Sequence, residues 1–146
     1  MANEKKLIYD EAIEELDEIC QKLNYSTITS LKFHTNSWGM SCSKHFGENY
    51  LSKCKNLTKL DFSDTINYKA RSDLCMSTAA MLVFCEDFKI ETIDLSNNFL
   101  DVDGGKSFNE FLWKNSHLKT LKLTGCKLGK RTAEMLLECW EENKDL

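Results

Sequence analysis

The chain has 146 residues, of which 42% are hydrophobic and 29% are charged, and this balance excludes a disordered or collagen-like chain. Its formal net charge of −4 lacks the basic surplus that a nucleic-acid-binding domain usually carries. No apolar run approaches the roughly 20 residues that span a bilayer, and the N-terminus has no apolar signal core. We therefore expect a soluble, cytoplasmic protein that binds neither nucleic acid nor membranes.

The first predicted elements, at residues 7–25, form an N-terminal cap. Leu7-Ile8-Tyr9 predicts a lone strand, and Asp10 suits the N-cap position of a helix. Acidic side chains lie opposite an apolar stripe in the next segment, which is typical of an amphipathic helix. The stripe consists of Ala12, Ile13, Leu16, Ile19, Cys20 and Leu23. A stack of repeats needs such a cap to cover its first member.

Four later segments align without gaps in the pattern of a leucine-rich repeat. Each has an apolar residue, a second three positions later, a third two after that, and a polar or small residue three further on. The segments begin at Ile28, Leu57, Ile90 and Leu118, so their starts are 29, 33 and 28 residues apart. These spacings divide the chain into repeats at approximately 26–54, 55–87, 88–115 and 116–146.

Each segment predicts a short strand followed by an inward turn. The alternating apolar positions place two side chains on the same inner face of the strand. The polar position after them turns inward, where it can bond backbone groups of the neighbouring turn. We predict this structural ladder at Asn36, Thr65, Asn98 and Cys126, with the two asparagines as its stronger members.

Apolar residues at helical spacing predict a helix between successive strands. The predicted inward faces are Phe46, Tyr50 and Leu51; Met76, Ala80, Val83 and Phe84; Phe108, Phe111 and Leu112; and Met135, Leu136, Cys139 and Trp140. Parallel strands that alternate with crossover helices predict an α/β fold in a single domain, 1–146. We expect a leucine-rich repeat solenoid, a partial horseshoe with strands on the concave side and helices on the convex side.

The end of the last repeat predicts self-association. No strand is predicted to follow Leu136 and Trp140, so the C-terminal repeat would expose apolar surface. Two outcomes stay open at this point: a dimer formed through that repeat, or a chain that is part of a longer repeat protein.

The cysteines and histidines predict no metal site and no cofactor. Seven cysteines, an odd number, include no Cys-x-x-Cys pair, and the three histidines are scattered. Zinc needs clustered ligands, and a disulfide framework favours even, regular sets of cysteines. We expect reduced thiols that pack as small hydrophobic groups.

These features resemble the Ran GTPase-activating protein family, whose repeats are of the ribonuclease-inhibitor-like class. The likeness covers roughly residues 6–142, and its best local matches are "LTKLDFSD" at 57–64, "IDLSNNFL" at 93–100 and "LKLTGCKLG" at 121–129. The long second repeat corresponds to a family insertion whose basic residues face Ran. Aligned without gaps, the family arginine falls on Lys69 and the next basic position on Arg71. Where the family has an asparagine near the bound nucleotide, this chain has Gly125.

The resemblance implies that the protein binds a small GTPase and stimulates its GTP hydrolysis, in the cytoplasm or at the nuclear envelope, as part of nucleocytoplasmic transport. The GTPase supplies the nucleotide, the magnesium and the glutamine, and the activator orders them, so the chain itself needs no catalytic residue. The candidate partner-binding residues are Asp64, Lys69, Arg71, Asn97, Lys122 and Lys127. Neighbouring exposed candidates on the strands are Lys32, His34, Lys59, Asp61 and Asp94.

A second hypothesis is a non-catalytic leucine-rich repeat module for protein–protein interaction, because a fold alone does not determine a function. Lys69 and Gly125, which replace an arginine and an asparagine, favour this hypothesis. The repeat lengths and the N-terminal cap favour the first. A third possibility, an intrinsic active site, has little support, since Gly104-Gly105-Lys106 lacks the spacing of a phosphate-binding loop and predicts a helix start instead.

Overall fold

The computed structural model of the chain describes residues 7–8, 12–66, 71–100 and 102–142, without the side chains at 7–8, 71–74 and 142. The strands in these ranges are β1 (Leu7–Ile8), β2 (Ser30–Lys32), β3 (Ser37–Trp38), β4 (Lys59–Asp61), β5 (Thr92–Asp94) and β6 (Thr120–Lys122). The α-helices are α1 (Ile13–Cys20), α2 (Met40–Asn49), α3 (Arg71–Leu82), α4 (Val102–Lys114) and α5 (Lys130–Glu142). Short 3-10 helices occupy Tyr25–Thr27, Leu51–Lys53 and Val83–Cys85.

Four strands form a parallel sheet in the order β2-β4-β5-β6, and a helix lies between each strand and the next. The register pairs Leu31 with Leu60, Leu60 with Ile93, and Ile93 with Leu121. These are the residues that the repeat pattern equates. The predicted α/β class with parallel strands is confirmed, whereas the curved solenoid stays a prediction.

The core is formed by side chains at equivalent positions of successive repeats. Leu60 and Ile93, in the two middle repeats, are buried, whereas Leu31 and Leu121 at the two ends are only half-buried. One position later on the same inner face, the rings of Phe33 and Phe62 stack with centroids 4.7 Å apart. Each repeat therefore completes the burial of its neighbour, as expected for stacked repeats.

The ladder position is best developed at Asn98, whose side chain is buried and makes four strong hydrogen bonds. Its Oδ1 accepts from the backbone N–H groups of Thr65 at 2.8 Å and Ile66 at 2.7 Å. Its Nδ2 donates to the carbonyl oxygens of Phe62 and Leu95, both at 2.8 Å. One side chain thus joins the turns of the second and third repeats.

The other three ladder residues make fewer bonds of this kind. Thr65 Oγ1 donates to the carbonyl of Phe62 at 2.7 Å, and Cys126 Sγ contacts the carbonyl of Leu95 at 2.9 Å. Burial raises the pKa of the Cys126 thiol, so this residue stays a neutral donor. Asn36 donates to His34 O within its own turn at 3.1 Å and is only half-buried.

The prediction for the helix of the second repeat is wrong about which face is buried. Met76 and Val83 are more than half exposed, whereas Cys75, Met81 and Leu82 are buried. Residues 75–85 are nearly all apolar or small, so their spacing permits several inner faces. Packing of α3 between α2 and α4 selects one of them.

The cap also differs from its prediction. β1 is not a lone strand, because Leu7–Ile8 pairs in parallel with β3. Helix α1 begins at Ile13 with Ala12 at its N-cap, so the helix start is later than predicted, and Asp10 lies outside the described residues. Cys20 is buried and Leu16 packs against the core, but Ile19 and Leu23, predicted in the same stripe, are exposed.

The C-terminal repeat is exposed at a different residue from the one expected. Leu136 is buried and Trp140 is half-buried, while Leu137 is the exposed side chain. The Gly104-Gly105-Lys106 segment lies in the first turns of α4, as predicted. A Cβ atom at Gly105 would lie 2.7 Å from Thr132 Cγ2, so this glycine allows α4 and α5 to approach closely.

We predict that Asn98→Ala lowers the free energy of unfolding by about 3 kcal/mol or more, because it leaves buried backbone groups without partners. The matched variant Asn36→Ala should cost less than about 1 kcal/mol, since its one bond lies at an exposed turn. Urea unfolding of both variants measures the difference. Equal losses would show that the Asn98 bonds do not carry the stacking of the repeats.

Candidate functional site

The outer faces of the four parallel strands form a continuous polar surface, here called the strand surface. Because side chains alternate along a strand, the residues between the buried positions point away from the core. They form three rows across the repeats: Ser30, Lys59, Thr92 and Thr120; Lys32, Asp61, Asp94 and Lys122; and His34, Ser63, Ser96 and Thr124.

Two aspartates on this surface are held in defined orientations by their own turns. Asp61 Oδ1 accepts from the backbone N–H of Ser63 at 2.9 Å and from its hydroxyl at 2.6 Å. Asp94 Oδ1 accepts from the backbone N–H of Ser96, also at 2.9 Å. The Asp-x-Ser spacing at the same position of two repeats is a sequence signal for this turn, and the sequence analysis missed the two serines.

Charges of opposite sign alternate along the middle row of the strand surface. Asp61 and Asp94 lie side by side in the register, with Lys32 and Lys122 on the flanking strands. Lys122 Nζ lies 3.4 Å from Asp94 Oδ2. Burial alone would raise the pKa of Asp94, but hydrogen bonds from Ser96 and the Lys122 ammonium group hold it below its ordinary value of 3.8. Asp94 is therefore ionised at neutral pH.

The turn after each strand places one residue in the left-handed backbone conformation. These residues, here called the turn row, are Thr35 (φ 64°), Asp64 (φ 56°), Asn97 (φ 59°) and Gly125 (φ 72°). The N–H of Asp64 donates to Ser96 O at 2.9 Å, and that of Asn97 donates to Thr124 O at 2.7 Å. The parallel pairing thus continues beyond the strands and sets the spacing of the turn row.

The turn row explains why glycine stands at position 125. A Cβ atom at Gly125 would lie 2.6 Å from Oδ1 of Asn97, and the φ of Gly125 is one that L-residues rarely adopt. The asparagine that the family resemblance implies at position 125 is absent. An exposed asparagine side chain from the preceding repeat, Asn97, nevertheless reaches the same place.

Four of the six candidate partner-binding residues lie on or beside these two surfaces. Asp64 and Asn97 are neighbours in the turn row, Lys122 ends β6, and Lys127 follows the fourth turn with φ 45°. The prediction for Lys69 lies outside the described residues. Arg71 is the first residue of α3, and its side chain also lies outside them.

The arrangement offers many charged and hydrogen-bonding groups on an open surface, a chemistry suited to recognition of a protein. In the part of the chain that the structure describes, no three His, Cys, Asp or Glu side chains come together as metal ligands would. Among the described helices, none is long and apolar enough to cross a membrane.

Comparison with known proteins identifies one of the repeats. A family model described as Leucine Rich repeat matches residues 114–137, which include β6 and the first part of α5. The chain contains a leucine-rich repeat. A search of curated proteins finds no match, and neither comparison points to the Ran GTPase-activating protein family. A leucine-rich repeat suggests protein partners and a module for protein–protein interaction.

We expect Gly125→Ala to destabilise the fold by about 1–2 kcal/mol, because alanine is strained at positive φ and its Cβ displaces the Asn97 side chain. Gly129→Ala is the matched control, since a Cβ atom there meets nothing within 4 Å. Thermal or urea unfolding compares the two variants. A loss at Gly129 as large as that at Gly125 would contradict this role of the turn row.

Asp94→Asn should destabilise the protein by about 1–2 kcal/mol at neutral pH. Because the pKa of Asp94 is lowered by folding, its ionised form contributes stability above pH 3.8, and this contribution is lost as the pH falls through the folded-state pKa. The difference between wild type and variant should therefore shrink between about pH 5 and about pH 2. Urea unfolding across that range tests this, with the highly exposed Asp103→Asn as a control that shows little effect at any pH.

Proposed function

We propose that the protein is a leucine-rich repeat interaction module that binds a partner protein through the strand surface and the turn row. The observation that carries this proposal is the strict register of the four strands, which places polar and charged side chains at regular spacing. Lys32, Lys59 and Lys122 are exposed on this surface and the carboxylates of Asp61 and Asp94 are half-exposed, so a partner of complementary charge could meet all five groups at once.

The partner class that we propose is a small GTPase of the Ran type, whose GTP hydrolysis the module would stimulate. The family resemblance supports it, as does the position of Asn97 beside Gly125, which supplies an amide near the site of the family asparagine. Stimulation would act by ordering groups of the GTPase, and the gain in rate would come from positioning. A module that binds without stimulating hydrolysis is the alternative.

Single-turnover hydrolysis by Ran loaded with GTP, with and without this protein, tests the finer proposal. We expect at least about a tenfold acceleration, together with a complex detectable by calorimetry. Binding without acceleration would favour the non-catalytic module. Absence of both would overturn a Ran-type partner.

Two charge-reversal variants test which surface binds. Lys122→Glu changes the strand surface, whereas Lys106→Glu changes an exposed lysine of α4 on the helix layer. We expect the first to weaken binding of Ran, or of proteins captured from a cell extract, at least about tenfold, and the second to leave it unchanged. The reverse result would place the binding surface on the helices.

A further inference from the structure

One end of the repeat stack has an open apolar cavity between β6 and α5. Within the described residues, β6 is the last strand of the sheet and pairs only with β5. The cavity has a volume of about 490 Å³. Its lining includes Leu121, Leu123, Leu128, Leu137 and Trp140, with Lys119 at the rim. The Leu137 side chain is 59% exposed.

The backbone of β6 also presents bonding groups to this end. Leu95 N–H donates to Lys122 O at 2.9 Å, and Asn97 N–H donates to Thr124 O at 2.7 Å. Since parallel strands use alternate residues for each neighbour, the backbone groups of Leu121 and Leu123 point to the open side. This end therefore combines an apolar cavity with an edge strand.

The segment around this cavity is strongly basic. Residues 119–131 contain five Lys or Arg and no Asp or Glu. Lys119 and Lys122 are partly neutralised by Glu91 at 2.8 Å and Asp94 at 3.4 Å. Lys127, Lys130 and Arg131 add exposed positive charge beside the apolar lining.

The opposite end of the stack has the complementary character. Residues 10–18 contain six Asp or Glu and no Lys or Arg. On α1, Glu14, Glu15 and Glu18 are exposed. Ile19 is 56% exposed and Leu23 is 42% exposed. Their spacing of four residues places both apolar side chains on one outward face.

The inner side of α1 is attached to the repeats, so this outward face is rigidly presented. Tyr50 donates a hydrogen bond to Asp17 Oδ1 at 2.5 Å, and His45 Nε2 lies 2.6 Å from the same oxygen. The hydrogen bonds from Tyr50 and His45 lower the pKa of Asp17. Ile13 and Leu16 pack against the core on the same inner side.

We propose that copies of this chain associate head to tail, with Ile19 and Leu23 of one copy seated in the cavity between β6 and α5 of another. Charge selects a second copy as the occupant, because each end offers the charge that the other lacks. A contact between two basic ends or between two acidic ends would be repulsive. Since the contact joins different surfaces, it can repeat, and the oligomers lengthen with concentration.

Sedimentation velocity of the full chain and two single variants tests the contact. Wild type should show a mass that rises with protein concentration and falls as salt is added. Ile19→Glu and Leu137→Glu should each remain monomeric over the same range. Val83→Glu is the matched control, since Val83 is also 56% exposed but belongs to the helix layer, and it should associate like wild type.

Mixing the two monomeric variants distinguishes this contact from its alternatives. Ile19→Glu keeps an intact basic end and Leu137→Glu keeps an intact acidic end, so their mixture should form a one-to-one heterodimer that grows no further. The heterodimer also shows that both variants are folded. Self-association of either variant alone, absence of a heterodimer, or a monomeric wild type would overturn the proposal.

Discussion

The whole structure depends on the parallel pairing of strands too short to bury their own side chains. Each of the four sheet strands spans three residues, and its apolar residues are covered only by the repeats on either side. The stacking of Phe33 on Phe62 and the four bonds of Asn98 show how this cover is achieved, by apolar contact inside the strand and by amide bonds inside the turn. Neither contact exists within one isolated repeat.

The same pairing determines the geometry of the candidate binding surface. Once Leu60 and Ile93 are in register, Asp61 and Asp94 lie side by side, and their own Ser63 and Ser96 groups orient them. The pairing then extends into the turn row, where left-handed residues recur at the same place. The regular surface is therefore a consequence of the packing that stabilises the core.

Stacking also leaves two ends, and the chain treats them differently. α1 covers the first repeat with its inner side, while its outer side carries exposed apolar and acidic residues. At the other end, β6 and α5 surround an apolar cavity in a basic segment. The strand surface and the two ends are different parts of the molecule, so binding of a partner protein and association of copies depend on largely separate residues.

The sequence by itself determined the number, order and register of the sheet strands, because the repeat period is a local property that every repeat shows independently. It also located the turn positions, of which Asn98 has the full set of bonds expected of a ladder residue. Only tertiary structure decided which face of α3 is buried, because nearly every residue there is apolar and the neighbouring helices select among them. The exposure of Ile19 and Leu137 and the contact between Asn97 and Gly125 were likewise invisible to the pattern, since they depend on residues from different repeats meeting in space.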